Sequence, residues 1–139
     1  MYYVSTVSYD TMTEKMRTKN VKEKIILENC ESFTEAEKRT YEDYEGKDNF
    51  DVLDIKRYPR LREFANIRTD DNENIFIADL VSVFITDSGK EIETHYHVGI
   101  FAEDKNEADK VLNEYLRQGF DDIEPRGIKR TKFVSLLTD

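Results

Sequence analysis

Ile75-Phe-Ile-Ala-Asp-Leu-Val-Ser-Val-Phe-Ile-Thr86 and Glu91-Ile-Glu-Thr-His-Tyr-His-Val-Gly-Ile-Phe-Ala102 are joined by Asp87-Ser-Gly-Lys90 and followed by Asp104-Lys-Asn-Glu107. The two long runs are rich in β-branched and aromatic residues, and Asp-Ser-Gly-Lys between them is a tight-turn signal, so they predict a hairpin. Asp104 then starts a helix as its cap, with Glu107 three residues on. Ala108, Val111, Leu112, Tyr115 and Leu116 make an i, i+3, i+4, i+7, i+8 stripe, and Gly119 is its expected stop. The order β-β-α is thereby set, with a further strand expected over residues 128–137.

The same order occurs upstream. Strand-like runs cover residues 2–9 and 21–29, and Ser32-Phe-Thr-Glu35 is a capping box. Phe33, Ala36, Thr40, Tyr41 and Tyr44 fall on one helix face, Gly46 is a C-terminal stop, and residues 50–58 read as a strand. Glu35-Ala-Glu-Lys38 matches Glu107-Ala-Asp-Lys110, and Ile55-Lys-Arg57 matches Ile128-Lys-Arg130. We expect an α+β fold, mostly antiparallel sheet with two helices, built from a duplicated β-β-α-β unit. The expectation is one domain over 1–139, with halves about 1–58 and 74–139 and a joint at 59–73. There Pro59 breaks a strand and Asp70-Asp-Asn-Glu-Asn74 reads as an exposed loop.

A two-residue loop at Ser88-Gly89 would pair Ile85 with Ile92, Val83 with Thr94, Val81 with Tyr96, Ile77 with Ile100 and Ile75 with Ala102. That face would be the core. The other would carry Phe84 with Glu93, Ser82 with His95, Leu80 with His97 and Phe76 with Phe101. A strand apolar on both sides is covered on both sides. A three-residue turn would move every pairing by one.

Composition narrows the function. Of 139 residues, 38% are hydrophobic and 37% charged, yet eight Phe and eight Tyr supply large buried areas, so the chain can build a core. The net charge of −9 repels nucleic acid at long range and disfavours general nucleic-acid binding. A single cysteine, Cys30, excludes an internal disulfide or a multi-cysteine zinc site. Set just before a helix start, it is weighed as a small buried hydrophobe over a reactive thiol. No signal peptide and no apolar stretch long enough to span a bilayer are seen, so the expected location is the cytoplasm, without membrane contact.

Ser32-Phe-Thr-Glu-Ala-Glu37, Val52-Leu-Asp-Ile-Lys-Arg57 with Tyr58 and Glu63-Phe64, Ser88-Gly-Lys-Glu91, and Ile128 with Thr131-Lys132 resemble a family of small uncharacterised proteins from Bacteroides, their mobile elements and their phages. It is a domain of unknown function, so the resemblance implies a phage or mobile-element setting and no catalytic residues. Members often carry a Trp near the start of the third long strand, and this chain has none.

The basic residues cluster. Lys56, Arg57, Arg60 and Arg62 crowd one short stretch and Arg126, Lys129, Arg130 and Lys132 another, at equivalent places in the two halves, with Tyr58 and Phe133 interleaved. Cations beside aromatic rings suit phosphate and base-stacking contacts; neighbouring carboxylates would otherwise absorb them as ion pairs. Lys56, Arg57, Tyr58, Lys129, Arg130 and Lys132 are therefore the candidate ligand-binding residues. If Ile55 and Ile128 face the core, Lys56 and Lys129 point outward and Arg57 and Arg130 sit at the rim. The polar hairpin over residues 10–20, with Lys15, Arg17, Lys19, Met12 and Met16, is a candidate protein-contact arm. His95 and His97 share a strand face, with Glu93, and are the candidate metal ligands, weighed against two polar residues on a wet sheet face. No P-loop or Gly-x-Ser-x-Gly motif occurs.

The leading expectation is a non-enzymatic binding module of a phage or mobile element, without cofactor. It would form a homo-oligomer and sequester an anionic small ligand such as a nucleotide signal. The alternatives are a protein-interaction module that inhibits a host protein, and a metal-dependent hydrolase using the His-x-His strand.

Overall fold

The computed structural model describes residues 1–118 and 122–138. The chain runs β1 (Tyr3–Met12), β2 (Thr18–Leu27), α1 (Phe33–Asp43), β3 (Asp48–Arg57), β4 (Leu61–Phe64), β5 (Asn74–Ile85), β6 (Glu91–Ala102), α2 (Lys105–Leu116), β7 (Ile123–Arg130) and β8 (Phe133–Leu137). This is an α+β fold with two helices and eight strands in two mixed sheets. Both helices lie within the expected ranges. No helix among the described residues is long and apolar enough to cross a membrane.

The caps act as the sequence specifies. Ser32 Oγ accepts from the Glu35 amide at 3.1 Å, and the Glu35 carboxylate accepts from the Glu31 amide at 3.0 Å. Asp104 accepts from the Glu107 amide at 2.8 Å, and Glu107 reaches back to the Glu103 amide at 2.9 Å. Each pair satisfies one first-turn donor that the helix itself leaves unbonded and the amide of the residue before the cap. Gly46, at φ +88°, lets the chain turn out of α1. The stop expected at Gly119 lies outside the described residues.

The chain forms two compact units, residues 1–59 with 132–139, and residues 60–131. In the first, the sheet order is β3-β1-β2-β8; in the second it is β4-β6-β5-β7. Reversed, the second reads β7-β5-β6-β4, so β1, β2 and β3 match β5, β6 and β7. The fourth strand of the first sheet, β8, comes from the other end of the chain, and that of the second, β4, from the segment expected to be the joint. Each pairs parallel, β8 with β2 and β4 with β6, whereas the other pairings are antiparallel. The expected joint at 59–73 thus holds a strand, and the strand expected over 128–137 is two strands in different units.

The hairpin register departs from the two-residue loop. Ile85 pairs with Glu91, Leu80 with Tyr96 and Phe76 with Ile100. Thr86 and Lys90 close a three-residue turn, the Thr86 amide donating to the Lys90 carbonyl at 2.8 Å. Gly89, at φ +81°, takes the left-handed position such a turn requires. The core face is accordingly Phe76, Ala78, Leu80, Tyr96, Val98 and Ile100, packed on Ala108, Leu112 and Tyr115 of α2. Ile75, Val81 and Phe101, on the opposite face, are also buried, but Phe84 and Ile85 near the turn are 63% and 67% exposed. In the first unit Tyr3, Val7, Ile25 and Leu27 pack on Cys30, Ala36 and Tyr44.

Side chains fasten the two parallel strands. The Asn66 amide donates to the Phe101 carbonyl and accepts from the Phe101 amide, both at 2.8 Å, so it extends the β4 ladder by one step. Arg39 of α1 donates to the carbonyls of Glu28 at 2.5 Å and Leu137 at 3.2 Å, tying the ends of β2 and β8 to the helix. Glu73, in the segment expected to be wholly exposed, is buried; its carboxylate accepts from the Thr69 amide and hydroxyl and the Asp70 amide.

Phe64 of β4 lies flat over Gly99 of β6 and stacks on Phe101 with ring centroids 5.1 Å apart. A Cβ at Gly99 would overlap the Phe64 ring, so Gly99→Ala should cost about 1–3 kcal/mol. Phe64→Ala in the same chain should recover part of that loss, because it removes the clash. Thermal denaturation of the two variants checks this; an Ala at Gly99 tolerated without loss would mean that β4 does not dock there.

Met16, in the turn between β1 and β2, has φ +60°, a left-handed conformation that costs a side-chain-bearing residue roughly 1–2 kcal/mol.

Candidate functional site

The β1 register divides the first sheet into two faces. Tyr3, Val7, Ile25 and Leu27 turn to α1, so Val4, Thr6 and Ser8 turn the other way, opposite Ile26, Lys24 and Lys22. Across β3, Val4 pairs with Lys56 and Thr6 with Asp54. Lys22, Lys24 and Lys56 therefore stand on one helix-free face. Lys56 Nζ lies 3.7 Å from Asp54 Oδ2 with its side chain 75% exposed, a pairing that water weakens. Lys24 pairs with Phe133 across the β2–β8 ladder, and the Phe133 ring lies 6.4 Å from that of Tyr58. Lys132 precedes Phe133 and is exposed. One unit thus holds an aromatic pair with Lys24 opposite Phe133 in register, Lys132 next to Phe133 in the chain and Lys56 two residues before Tyr58.

The arginines go elsewhere. Arg57 pairs with Tyr3 on the helix face and places its guanidinium 5.2 Å from the Phe33 ring centre. In the second unit, Lys129 pairs with Ile77 on the helix-free face, and Arg130 pairs with Phe76 on the helix side, donating to Asn74 at 3.1 Å. Ile55 and Ile128 pack on the two cores, which fixes the lysines on the outer faces and the arginines on the inner ones. The six candidate ligand residues fall in two units: Lys56, Arg57, Tyr58 and Lys132 in the first, Lys129 and Arg130 in the second. Sequence spacing missed Lys24, because only the parallel pairing with β8 brings it beside Phe133.

The histidines lie on the helix-free face of the second sheet. His97 pairs with Asp79 across the β5–β6 ladder, its Nε2 3.9 Å from Asp79 Oδ1, a buried atom with no hydrogen-bond partner among the described residues. Burial holds the His97 imidazole below its ordinary pKa; the Asp79 charge opposes that shift and the Arg60 charge adds to it. His95 Nε2 lies 3.6 Å from Glu93, whose other oxygen is 4.0 Å from the Arg126 guanidinium. Arg126 also lies 3.5 Å from Glu124. The histidines form two carboxylate–imidazole pairs. No group of three or more His, Cys, Asp or Glu able to hold a metal ion occurs among the described residues. Asp79 could not be found from the sequence, because the two-residue turn would have put Leu80 opposite His97.

Each unit also sets a carboxylate against tyrosine. Glu23 accepts from Tyr9 and Tyr44, both at 2.7 Å, and Glu63 accepts from Tyr115 at 2.5 Å. The negative charge that receives the proton raises the pKa of all three phenols, together with burial, which is the larger cause for Tyr44 and Tyr115. Burial, and then the Glu23 charge, raise the Asp43 carboxyl. Cys30 is fully buried, with Arg39 Nη1 3.0 Å from its sulfur.

No curated protein matches the chain. A family profile described as a domain of unknown function, DUF4494, matches residues 1–138. That match spans both sheets and both helices, and the chain belongs to the DUF4494 family.

Proposed function

We propose that the protein is a non-enzymatic binding module that takes an anionic small ligand, a nucleotide in the first instance, on the helix-free face of its first unit. The observation that carries this is the approach of Tyr58 to Phe133, with Lys24 opposite Phe133 across the parallel ladder; Lys56 and Lys132 lie beside the two rings in sequence. Aromatic faces take a base by stacking, and ammonium groups take phosphate oxygens as point charges. The matched strand orders and matched caps support the duplicated unit. The phage or mobile-element setting, in which the protein would sequester a nucleotide signal, rests on the family resemblance, and the cytoplasmic location on the sequence alone.

Titration calorimetry against nucleoside mono-, di- and triphosphates tests the proposal. Lys56→Ala and Lys132→Ala should each weaken binding by about ten- to a hundredfold, as expected for losing one charge-assisted contact worth about 1.5–3 kcal/mol. Their stability should change by less than about 1 kcal/mol, since both side chains are exposed. No binding by the unmodified protein, or binding indifferent to both substitutions, would leave these lysines as surface charges.

A second proposal, a protein-interaction module that inhibits a host protein, is favoured by the exposed Phe84 and Ile85 at the end of the β5–β6 hairpin. A metal-dependent hydrolase using His95 and His97 has less support: His97 Nε2 lies 3.9 Å from Asp79 Oδ1, longer than a hydrogen bond.

A further inference from the structure

The β1–β2 hairpin outruns the sheet that holds it. β3 pairs with β1 no further than Asp10, and β8 pairs with β2 no further than Lys24, yet the two arms stay paired out to Met12 and Thr18. Residues 11–19 form a two-stranded arm with no third strand among the described residues. An isolated ribbon of this kind is marginally stable in water, so a contact elsewhere would stabilise it.

The arm's composition is unlike the rest of the chain. In a protein of net charge −9 it carries Lys15, Arg17 and Lys19 against Glu14 alone. Met12 and Met16 are 56% and 78% exposed. Met16 holds the left-handed turn position that glycine or asparagine would occupy without strain. A strained backbone that presents an apolar side chain to solvent suggests that the side chain has a contact to make. Methionine, unbranched and polarisable, suits a contact between two surfaces.

The surface that fits lies on the same unit. β3 is an edge strand of its sheet, so one of its backbone sides has no strand partner among the described residues. It carries Asp48, Asp51 and Asp54, all exposed, around Leu53, which is 46% exposed. The arm offers cations around exposed methionines; β3 offers carboxylates around an exposed leucine. One molecule carries both, so two molecules can exchange them about a twofold axis, each arm on the partner's β3. We propose that the protein forms such a homodimer, with the hairpin arm of each copy docked on the acidic edge strand of the other. The complementary charges would fix register and partner choice, and the methionines would exclude water at the centre.

Sedimentation velocity on the full chain tests this. The unmodified protein should dimerise at about 0.05 M salt and dissociate at about 0.5 M, where exposed charges are screened. Met16→Gly relieves the turn, so it should leave the melting temperature of the monomer unchanged or higher while weakening the dimer at least about tenfold. Arg17→Glu should abolish the dimer, and Arg17→Glu with Asp51→Lys in one chain should restore it at least in part, because opposite charges again face each other between arm and edge strand. A chain that is monomeric at every concentration would overturn the proposal. So would a dimer that Met16→Gly and Arg17→Glu both leave intact, since that dimer would use another face.

Discussion

Leu80→Ala is expected to lower the unfolding free energy by about 2–5 kcal/mol, whereas Ile85→Ala on the same strand should change it by less than about 0.5 kcal/mol. Leu80 is fully buried on the face that packs against α2, and Ile85 is 67% exposed. Removing most of a buried side chain loses its transfer energy and leaves a cavity that its neighbours fill only in part. With a two-residue turn the ranking would be reversed, because Ile85 would then be in the core and Leu80 beside His97. Urea titration of both variants decides the point: the Leu80→Ala midpoint should fall while the slope stays unchanged. A larger loss for Ile85→Ala would place β5 and β6 one residue out of register.

Glu23→Leu should cost about 3 kcal/mol. The carboxylate accepts from two phenols at 2.7 Å, and a hydrogen bond to a charged group contributes about 1.5–3 kcal/mol. The two contributions are not independent, since one carboxylate serves both donors. Glu23→Gln keeps the shape and an acceptor oxygen and should lose less. The pair also sets an alkaline limit on stability. The Tyr9 phenol is pushed up from 10.0 to about 12, first by its hydrogen bond to Glu23 and then by burial and the Glu23 charge. The folded chain therefore holds this proton more tightly than the unfolded chain does. The resulting stabilisation is complete below pH 10 and is lost as the pH rises to about 12. Tyr44 moves in the same direction. Denaturation measured across that window should show a steeper fall for the unmodified protein than for Glu23→Leu. Parallel pH profiles would mean that the carboxylate does not hold these phenols.

Much of the local structure was legible in the residues. The helices could be placed because their signals lie within a few positions: Ser32 with Glu35, Asp104 with Glu107, and apolar residues three and four apart. The outer faces of Lys56 and Lys129 followed from the alternation of a strand once Ile55 and Ile128 were taken as core. The turn after β5 was also visible, but its length was not. Asp87-Ser-Gly is compatible with two loop closures, and a one-residue difference moves every residue of β5 to the other face while β6 keeps its own.

The candidate site was legible only in its parts. The two basic stretches stand out by composition, but Lys24 joins Tyr58 and Phe133 only through the parallel ladder of β2 with β8. Asp79 joins His97 only through the three-residue turn.

By itself the sequence determined the two capped helices, the long antiparallel hairpins that precede them and the alternation of faces along each strand. Each of these is fixed by interactions between residues close together in the chain or joined by one short turn. Only the tertiary structure decided where β4 and β8 pair. A strand of four or five residues has too few positions to show a period. Its parallel partner lies far along the chain, and the contacts that hold it there, Phe64 over Gly99 and Arg39 at the Leu137 carbonyl, exist only once the sheet it joins has formed.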